Sequence, residues 1–375
     1  MIMAFALLTN WVFLAVTPKV AHKILKTLIF KKNQKIISFI STINIEGSGT
    51  LSIIGALPNS ITTINGGTSS TNFTVSMGTA GGTITSGSGN DVIVLGGGTN
   101  NVDSGNGSDN ITLSTGNNTV NTGSGSDTVT ASAGTNSITT GASGDQITLS
   151  GGTNTVNSGA SNDQLTISGG TNNIDTESGN DQITISGGNN TLTTGNNNDV
   201  ISASNGVNNI NTGSGTDQVT LTGGTNTVVT GNNDDTINAS GGNNDIDTDA
   251  GSDQVVLTGG TNDVNTGAND DTVTLSGGTE TVDMGSGNDT VVAGANLSAA
   301  DTVDGGDGSG DTLEITSALT DALTARLSNF EVLDIKGGGG LTHDITGLAG
   351  LTSLKASGAL TGAIVITDLA EAAEV

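Results

Sequence analysis

Aliphatic residues recur along most of this chain at every eighteenth position. In each repeat unit, two aliphatics separated by one polar residue follow an aspartate, as Ile147 and Leu149 do. Nine residues after the first of them comes another aliphatic, such as Val156. Alternating apolar and polar positions predict a short β-strand with one buried face. Glycine-rich segments separate these strands, so each unit is predicted to be two nonapeptides, each a turn leading into a strand.

This repeat predicts a solenoid. One turn and strand cannot bury its apolar face alone, but stacked copies share a continuous core. We therefore predict an all-β fold, a parallel β-roll or β-solenoid whose 18-residue coils each place one strand in each of two sheets. A triangular solenoid of six-residue faces would also have 18-residue coils. Its apolar residues would recur every six positions, however, whereas these recur every nine.

Two polar columns keep the same register. Aspartate holds one position in twelve successive units: Asp91, Asp109, Asp127, Asp145, Asp163, Asp181, Asp199, Asp217, Asp235, Asp253, Asp271 and Asp289. Asparagine holds the position nine residues later in ten units: Asn100, Asn118, Asn136, Asn154, Asn172, Asn190, Asn208, Asn226, Asn244 and Asn262. Stacking the coils predicts one acidic edge and one neutral edge, and we expect the amides of the neutral edge to form a hydrogen-bonded ladder.

The acidic edge is electrostatically unfavourable without a partner. Two carboxylates about 4.8 Å apart repel by roughly 0.9 kcal/mol even at the dielectric constant of bulk water. A divalent cation between them reverses the sign, and Ca²⁺ accepts a mixed shell of carboxylate and carbonyl oxygens. The alternative is that each aspartate is only a turn former, whose carboxylate accepts hydrogen bonds from nearby backbone N–H groups.

The turns before the aspartates carry a recognisable motif. Residues 87–91 read GSGND and residues 213–217 read GSGTD. These turns resemble the hemolysin-type (RTX) calcium-binding nonapeptide G-G-x-G-x-D-x-U-x, in which U is a large aliphatic residue. The resemblance covers about residues 86–311. It implies a parallel β-roll in which Ca²⁺ lies between adjacent turns, bound by aspartates one coil apart and by backbone carbonyls of the glycine-rich loops.

The resemblance also implies a set of ligands. The carboxylates would be those of the twelve aspartates above together with Asp307 and Asp311, which lie in a last, lengthened copy of the motif. The calcium-loop glycines would be Gly87, Gly89, Gly105, Gly107, Gly123, Gly125, Gly213, Gly215, Gly285 and Gly287. The motif is best kept in the coils of Asp91, Asp109, Asp127 and Asp217.

The chain departs from the motif at the glycine positions. Serine or threonine replaces the first glycine, as at Ser86, Thr122 and Thr140. Acidic residues replace the second at Glu177 and Asp249, and Ser143, Ser161, Asn197, Asn233 and Asn269 replace the third.

Charge is distributed very unevenly. The 375 residues carry 36 acidic and nine basic side chains, for a net charge of −27. Six basic residues lie between Lys19 and Lys35, and no Lys, Arg or His lies between Lys35 and Arg326. This balance argues against binding to nucleic acid or to anionic membranes, both of which need clustered cations. It favours cations as partners.

Composition also suggests four segments. We predict an apolar and basic head at 1–40 with a short helix, an N-terminal cap with a degenerate coil at 41–85, the β-roll at 86–294, and a less regular C-terminal capping module at 295–375. The helix is indicated by the spacing of Ile24, Leu25, Leu28 and Ile29. The head could be a targeting or membrane segment, the product of a misassigned gene start, or an amphipathic cap.

The C-terminal segment is expected to cap the solenoid or to continue it in longer coils. A short helix is predicted at 319–327, followed by strands at 330–335, 343–347, 351–356 and 363–367. The order of these elements resembles modules that follow RTX repeats in bacterial S-layer and large surface proteins.

These features favour a calcium-stabilised extracellular structural protein, an S-layer-like or adhesin-type surface rod that folds when Ca²⁺ binds. Its partners would be calcium ions, with identical subunits or a cell-surface polysaccharide as further candidates, and it would lie outside the cell or on a bacterial surface. The alternatives are a solenoid that binds ice or another surface through its threonine columns, and a calcium-free structural solenoid. No enzyme is expected, because the repeats lack the usual nucleophile and base pairs.

Overall fold

The chain folds into parallel β-coils. The computed structural model describes residues 11–12, 14–16, 30–31, 41–337, 340–358 and 362–367. These divide into two compact units, Met1–Ser178 and Gly179–Val375. Among the described residues, no helix has the length and apolar character needed to span a membrane. The predicted all-β, parallel β-solenoid fold is confirmed.

The first unit contains strands β1 to β18. Their bounds are Trp11–Val12, Leu14–Val16, Phe30–Lys31, Thr42–Asn44, Ser48–Ala56, Thr63–Asn65, Ser70–Met77, Gly81–Thr85, Val92–Leu95, Thr99–Asp103, Asn110–Leu113, Asn117–Asn121, Thr128–Ala131, Thr135–Thr139, Gln146–Leu149, Thr153–Asn157, Gln164–Ile167 and Thr171–Asp175. Odd-numbered strands from β5 onward form one parallel sheet, the Asp-side sheet. Even-numbered strands from β4 onward form the other, the Asn-side sheet.

The second unit contains strands β19 to β38 and one short helix. The strands are Gln182–Ile185, Asn189–Thr193, Val200–Ala203, Val207–Asn211, Gln218–Leu221, Thr225–Val229, Thr236–Ala239, Asn243–Asp247, Gln254–Leu257, Thr261–Asn265, Thr272–Leu275, Thr279–Asp283, Thr290–Gly294, Thr302–Asp304, Thr312–Ile315, Leu327–Ser328, Val332–Ile335, Thr342–Asp344, Ser353–Lys355 and Val365–Thr367. Helix α1, Asp321–Thr324, lies between β33 and β34. The same two-sheet arrangement holds, and β36 pairs separately with β38.

The 18-residue spacing sets the register of the strands. Ile111 pairs with Val129, and Val129 with Ile147, so equivalent residues of successive coils lie side by side. Within each strand the side chains alternate between core and solvent, as expected for an extended backbone. The aliphatic columns are almost completely buried, with Ile147 and Val156 only 1–2% exposed. Stacking therefore supplies the core that one coil lacks.

The coils become longer toward both ends of the chain. Val291 pairs with Leu313, and Leu313 pairs with Leu333, so each of these coils is longer than a coil of the regular repeats. Near the start, the coil that joins Leu51 to its partner Phe73 is lengthened in the same way. Of the two possibilities for the C-terminal segment, the structure therefore shows continuation of the sheets in longer coils. The predicted helix at 319–327 is present but limited to the four residues of α1.

The head is only partly described. Strand β2 pairs antiparallel with β5, and β1 pairs antiparallel with β3. The described residues of the head are thus strands. The helix predicted at Ile24, Leu25, Leu28 and Ile29 falls outside the described residues.

Candidate calcium site

The aspartate column lies inside each unit rather than on an open rim. Asp127 and Asp145 are each only 1% exposed, because the turn before each strand folds the carboxyl group inward. The backbone N–H of one aspartate donates to Oδ1 of the aspartate in the next coil, as from Asp109 to Asp127 at 2.8 Å. The same bond joins each pair of successive column aspartates from Asp91 to Asp163 in the first unit and from Asp181 to Asp311 in the second.

These bonds differ from those expected if each aspartate only stabilised its own turn. The carboxylate does accept a backbone N–H, but from another coil, 18 residues away, rather than from its own turn. The bond gives the carboxyl group one partner in a position shielded from solvent. It also ties each carboxyl group to the backbone of the neighbouring column aspartate.

The second oxygen of these carboxyl groups lacks a donor. Among the described residues, no hydrogen bond is made to the buried Oδ2 of Asp91, Asp109, Asp127, Asp145, Asp199, Asp217, Asp235, Asp253, Asp271, Asp289 or Asp311. Except for Asp289 and Asp311, each of these aspartates has a hydroxyl residue five positions earlier; Thr122, for example, lies beside Asp127 and partly offsets the rise of its pKa. That hydroxyl donates instead to the carbonyl of Thr140 in the next coil, at 3.1 Å.

Burial raises the pKa of the column. It raises the pKa of Asp127, Asp199, Asp235 and Asp271 to about 7, and neighbouring column aspartates add to the effect. Burial likewise raises the pKa of Asp91 to about 6. Either a proton or a metal ion can therefore offset the unfavourable buried charge, and the two compete for the same carboxyl oxygens.

The turns keep their shape where the glycines are replaced. Gly105 and Gly107, at the second and third motif positions, have φ of 90° and 130°. In the same region of φ lie Ser143, Ser161, Glu177, Asn197, Asn233, Asp249 and Asn269, which are the replacements noted in the sequence. The turns therefore impose a left-handed backbone on residues that adopt it at a cost of about 1–2 kcal/mol.

Replacing Ser161 by glycine should stabilise the protein. Ser161 is exposed and has φ of 89°, so Ser161→Gly removes backbone strain without removing a packed side chain. After the larger entropy of glycine in the unfolded chain is subtracted, we expect a gain of about 0.5–1 kcal/mol. Thermal unfolding in saturating calcium measures it. Ala160→Gly, in the same turn but outside the left-handed region, should instead lose stability, and equal shifts for both variants would contradict this interpretation.

The opposite edge is the expected amide ladder. Asn118 Nδ2 donates to Asn136 Oδ1 at 2.7 Å and to the carbonyl of Thr115 at 3.4 Å. Such amide-to-amide bonds join successive asparagines from Asn100 to Asn172 in the first unit and from Asn190 to Asn262 in the second. The prediction of a neutral, hydrogen-bonded edge is confirmed.

The ladder of the second unit ends in two buried acids. Glu280 takes the next asparagine position and accepts a bond from Asn262 at 3.4 Å. Its backbone N–H donates to Oδ1 of Asp301 at 3.2 Å, and both side chains are 1% exposed. Burial, with the neighbouring Asp301 carboxylate, raises the pKa of Glu280 to about 7.

Glu280→Gln should therefore make stability less dependent on pH. Since folding raises the pKa of Glu280, its contribution is fully present below about pH 4.5 and is lost as the pH rises through about 7. The amide mimics the protonated acid, so the variant should be more stable than wild type at pH 8 by roughly 2–3 kcal/mol and equal to it near pH 4.5. Denaturant unfolding in saturating calcium across this range checks it. Exposed Glu177→Gln is the control, and a pH-independent difference for Glu280→Gln would contradict the assignment.

The two acids of the lengthened motif differ in position. Asp311 continues the column, since it is fully buried and its Oδ1 accepts the N–H of Asp289 at 2.8 Å. Asp307 is exposed, and its backbone bridges to Ser286 in the turn before Asp289. The structure thus places Asp311, and not Asp307, with the other predicted carboxylates.

The chemistry of the column fits Ca²⁺. Buried carboxylate oxygens without donors are the hard oxygen ligands that this ion prefers. A Cβ added to Gly287 would collide with the backbone carbonyl of Asn269 in the neighbouring coil and lie 2.8 Å from Asp289 Oδ1, so this glycine lets the backbones of neighbouring turns approach closely beside the carboxyl group. Within the described parts of the chain, no three His, Cys, Asp or Glu side chains converge on one point. Backbone carbonyls would therefore have to complete the ligand set.

The repeats match a known family. The profile of the RTX calcium-binding nonapeptide repeat, taken as four copies, matches residues 77–111, 112–147, 130–165, 148–183, 184–219, 221–255 and 257–291, which together make up more than half of the chain. The chain belongs to the RTX calcium-binding repeat family. No curated protein matches it significantly.

One solved structure is similar to this RTX chain. It is the X-ray crystal structure of a hyperactive, Ca²⁺-dependent, β-helical antifreeze protein from an Antarctic bacterium. The two chains are 18% identical, the similarity covers 74% of this chain and 86% of that one, and the TM-score is 0.44.

Sequence reasoning missed the role of one RTX position. The serine or threonine at the first glycine appeared only as a departure from the motif, whereas Thr122 and Thr140 are fully buried and bond the next coil. The signal was available, because a hydroxyl residue stands five positions before nearly every column aspartate. The role of the hydroxyl could not be inferred from the sequence, because its bond partner lies in the next coil.

Proposed function

We propose that this protein is an extracellular structural repeat protein that folds on binding Ca²⁺, of the S-layer-like or adhesin type. The ions would be bound between adjacent turns of the aspartate column within each unit, by column carboxylates and backbone carbonyls of the loops. When bound, Ca²⁺ would supply the positive charge that the column lacks. The observation that carries the proposal is the row of buried Oδ2 atoms without donors.

The charge distribution supports an extracellular location. The repeats contain no basic side chain to neutralise the column, so the positive charge that offsets it would come from solution. Calcium is scarce in the cytosol and abundant outside cells. A chain whose site forms only on folding converts binding energy into folding energy, so it would remain unfolded before export and fold afterwards.

Calorimetric titration of the full-length, calcium-depleted protein with CaCl₂ at pH 8 tests the proposal. Several ions should bind per chain, with release of protons from any carboxyl groups that remain protonated. Mg²⁺ should bind much more weakly, because it demands a compact octahedral shell and dehydrates reluctantly. No heat of calcium binding at protein concentrations of tens of micromolar would refute it.

A calcium-free structural solenoid is the first alternative. The N–H to Oδ1 bonds and the raised pKa values favour it at acidic pH, where protons would replace the metal. A protein whose stability at pH 8 is unchanged by chelation would have this mechanism.

Ice binding is the second alternative. Thr112, Thr130, Thr148 and Thr166 are paired in register along the outer surface of the Asp-side sheet, which gives a regular row of hydroxyl and methyl groups. Thermal hysteresis of the calcium-loaded protein, lost in Thr130→Lys, would favour this function.

A further inference from the structure

The outer surface of the Asp-side sheet carries no charge in the regular repeats, on the odd-numbered strands β9 to β17 of the first unit and β19 to β31 of the second. In the first unit its outward residues, all intermediate or exposed, are Val92, Val94, Asn110, Thr112, Thr128, Thr130, Gln146, Thr148, Gln164 and Thr166. In the second unit the outward residues of the odd-numbered strands β19 to β31 are likewise only Gln, Thr, Val, Ser, Asn and Gly. We call this surface the neutral face and treat each unit separately.

Other surfaces of the repeats carry acids. On the Asn-side sheet of the first unit Asp103 and Asp175 point outward, and in the second unit Asp245 lies directly beside Asp263 in register. Like charges in directly neighbouring positions destabilise a sheet by a few tenths of a kcal/mol or more. No lysine or arginine within the repeats offsets them.

We propose that the neutral face is a contact surface for a second copy of this chain. Two molecules with a net charge of −27 repel one another wherever their acidic surfaces approach. The neutral face is the surface of the repeats on which two copies meet without placing carboxylates against carboxylates. The contact goes beyond calcium binding, since it concerns the sheet surface and not the turns.

The side chains of the face suit such packing. Identical residues lie in register, as Thr130 beside Thr148 and Gln146 beside Gln164, so the surface is regular along the stack. Sheets that present identical in-register side chains can pack face to face through dry, interdigitated contacts, which the threonine and valine methyl groups would make here. Val92 is 39% exposed in the first unit and Val200 is 43% exposed in the second, which leaves apolar surface to cover.

The size of the face sets the expected affinity. Five strands at about 4.8 Å spacing and four residues at about 3.3 Å give roughly 300 Å² of sheet surface in the first unit. This is less than the roughly 800 Å² per partner of a standard stable interface. We therefore expect reversible association that becomes measurable from tens of micromolar upward.

Sedimentation equilibrium of the calcium-loaded full-length protein from 10 µM to 1 mM tests the proposal. Wild type should show a concentration-dependent dimer. The double variant Thr130→Lys with Thr148→Lys should weaken association at least tenfold, and so should Thr130→Asp with Thr148→Asp, because either charge must be desolvated at the contact. The matched control, Ser137→Lys with Thr155→Lys, places the same charge on the exposed Asn-side surface of the same unit and should associate as wild type does.

Three outcomes would overturn the proposal. Wild type could remain monomeric up to 1 mM while circular dichroism shows a folded, calcium-loaded protein. The Asn-side control could weaken association as much as the neutral-face variants. A monomeric wild type with thermal hysteresis that only the neutral-face variants lose would assign the face to ice instead. Because folding and calcium loading are measured separately, failure here leaves the calcium proposal intact.

Discussion

Chelation of calcium at pH 8 is expected to abolish most of the β-sheet circular dichroism of this protein, and restored millimolar Ca²⁺ is expected to recover it. At this pH the column carboxyls, whose pKa reaches about 7 in several coils, are largely ionised. A ligand at one hundred times its Kd stabilises a fold by about 2.7 kcal/mol per site. Two or three such sites supply an amount comparable with the whole stability of a typical domain.

Lowering the pH should rescue the chelated protein. Because folding raises the pKa of these aspartates, the folded state binds more protons than the unfolded state between about pH 4 and 7, and stability falls as the pH rises through that window. At pH 5, still above the isoelectric point near 4.1, the chelated protein should regain β structure. A spectrum that ignores chelator at pH 8, or chelated protein that is less folded at pH 5 than at pH 8, would contradict the mechanism.

Converting column aspartates to asparagine is expected to separate folding from calcium. In Asp109→Asn with Asp127→Asn, each Oδ1 still accepts its backbone N–H, and each new amide can donate to the hydroxyl beside it, such as that of Thr122. The charge that burial disfavours is gone. In chelator at pH 8 we expect a gain on the order of 2–4 kcal/mol, judged from a pKa of about 7 for Asp127 against an ordinary 3.8.

The same variant should lose calcium binding. Titration should show fewer ions bound per chain, and calcium should raise the melting temperature less than in wild type. The control is Asp103→Asn with Asp175→Asn, which changes the net charge equally but alters exposed residues of the Asn-side sheet in the same unit. Should both pairs behave alike in chelator and in calcium, general charge repulsion would explain the effect and the column would have no special role.

The regular part of the fold could be predicted from the sequence because one spacing determines several features at once. The constant repeat interval sets strand register, the buried positions of Ile147 and Val156, and the asparagine ladder together. No such spacing exists at the ends. There, pairs such as Val291 with Leu313 depend on how longer loops close, so continuation of the coils could be stated only as one of two possibilities.

The candidate site was less accessible to sequence reasoning. The aspartate column was evident, but its burial and its bonds to the next coil depend on distances between coils that a single motif does not encode. Glu280 lies one repeat interval after Asn262, the last residue of the asparagine column, but its partner Asp301 lies 21 residues further on, where the repeat interval has changed. Asp307 and Asp311 were equally plausible by pattern, and they are distinguished by the burial of Asp311 and by the bond that it accepts from Asp289.

In the regular repeats, most coils present the same donors and acceptors to their successors, so one such coil can take the place of another in the stack. Loss or gain of one 18-codon block would rejoin like with like, Asp under Asp and Asn under Asn, whereas a nine-codon change would place amides beneath carboxylates and exchange the two edges. We therefore expect duplications and deletions in the gene that respect the 18-codon interval to be far better tolerated than those that do not.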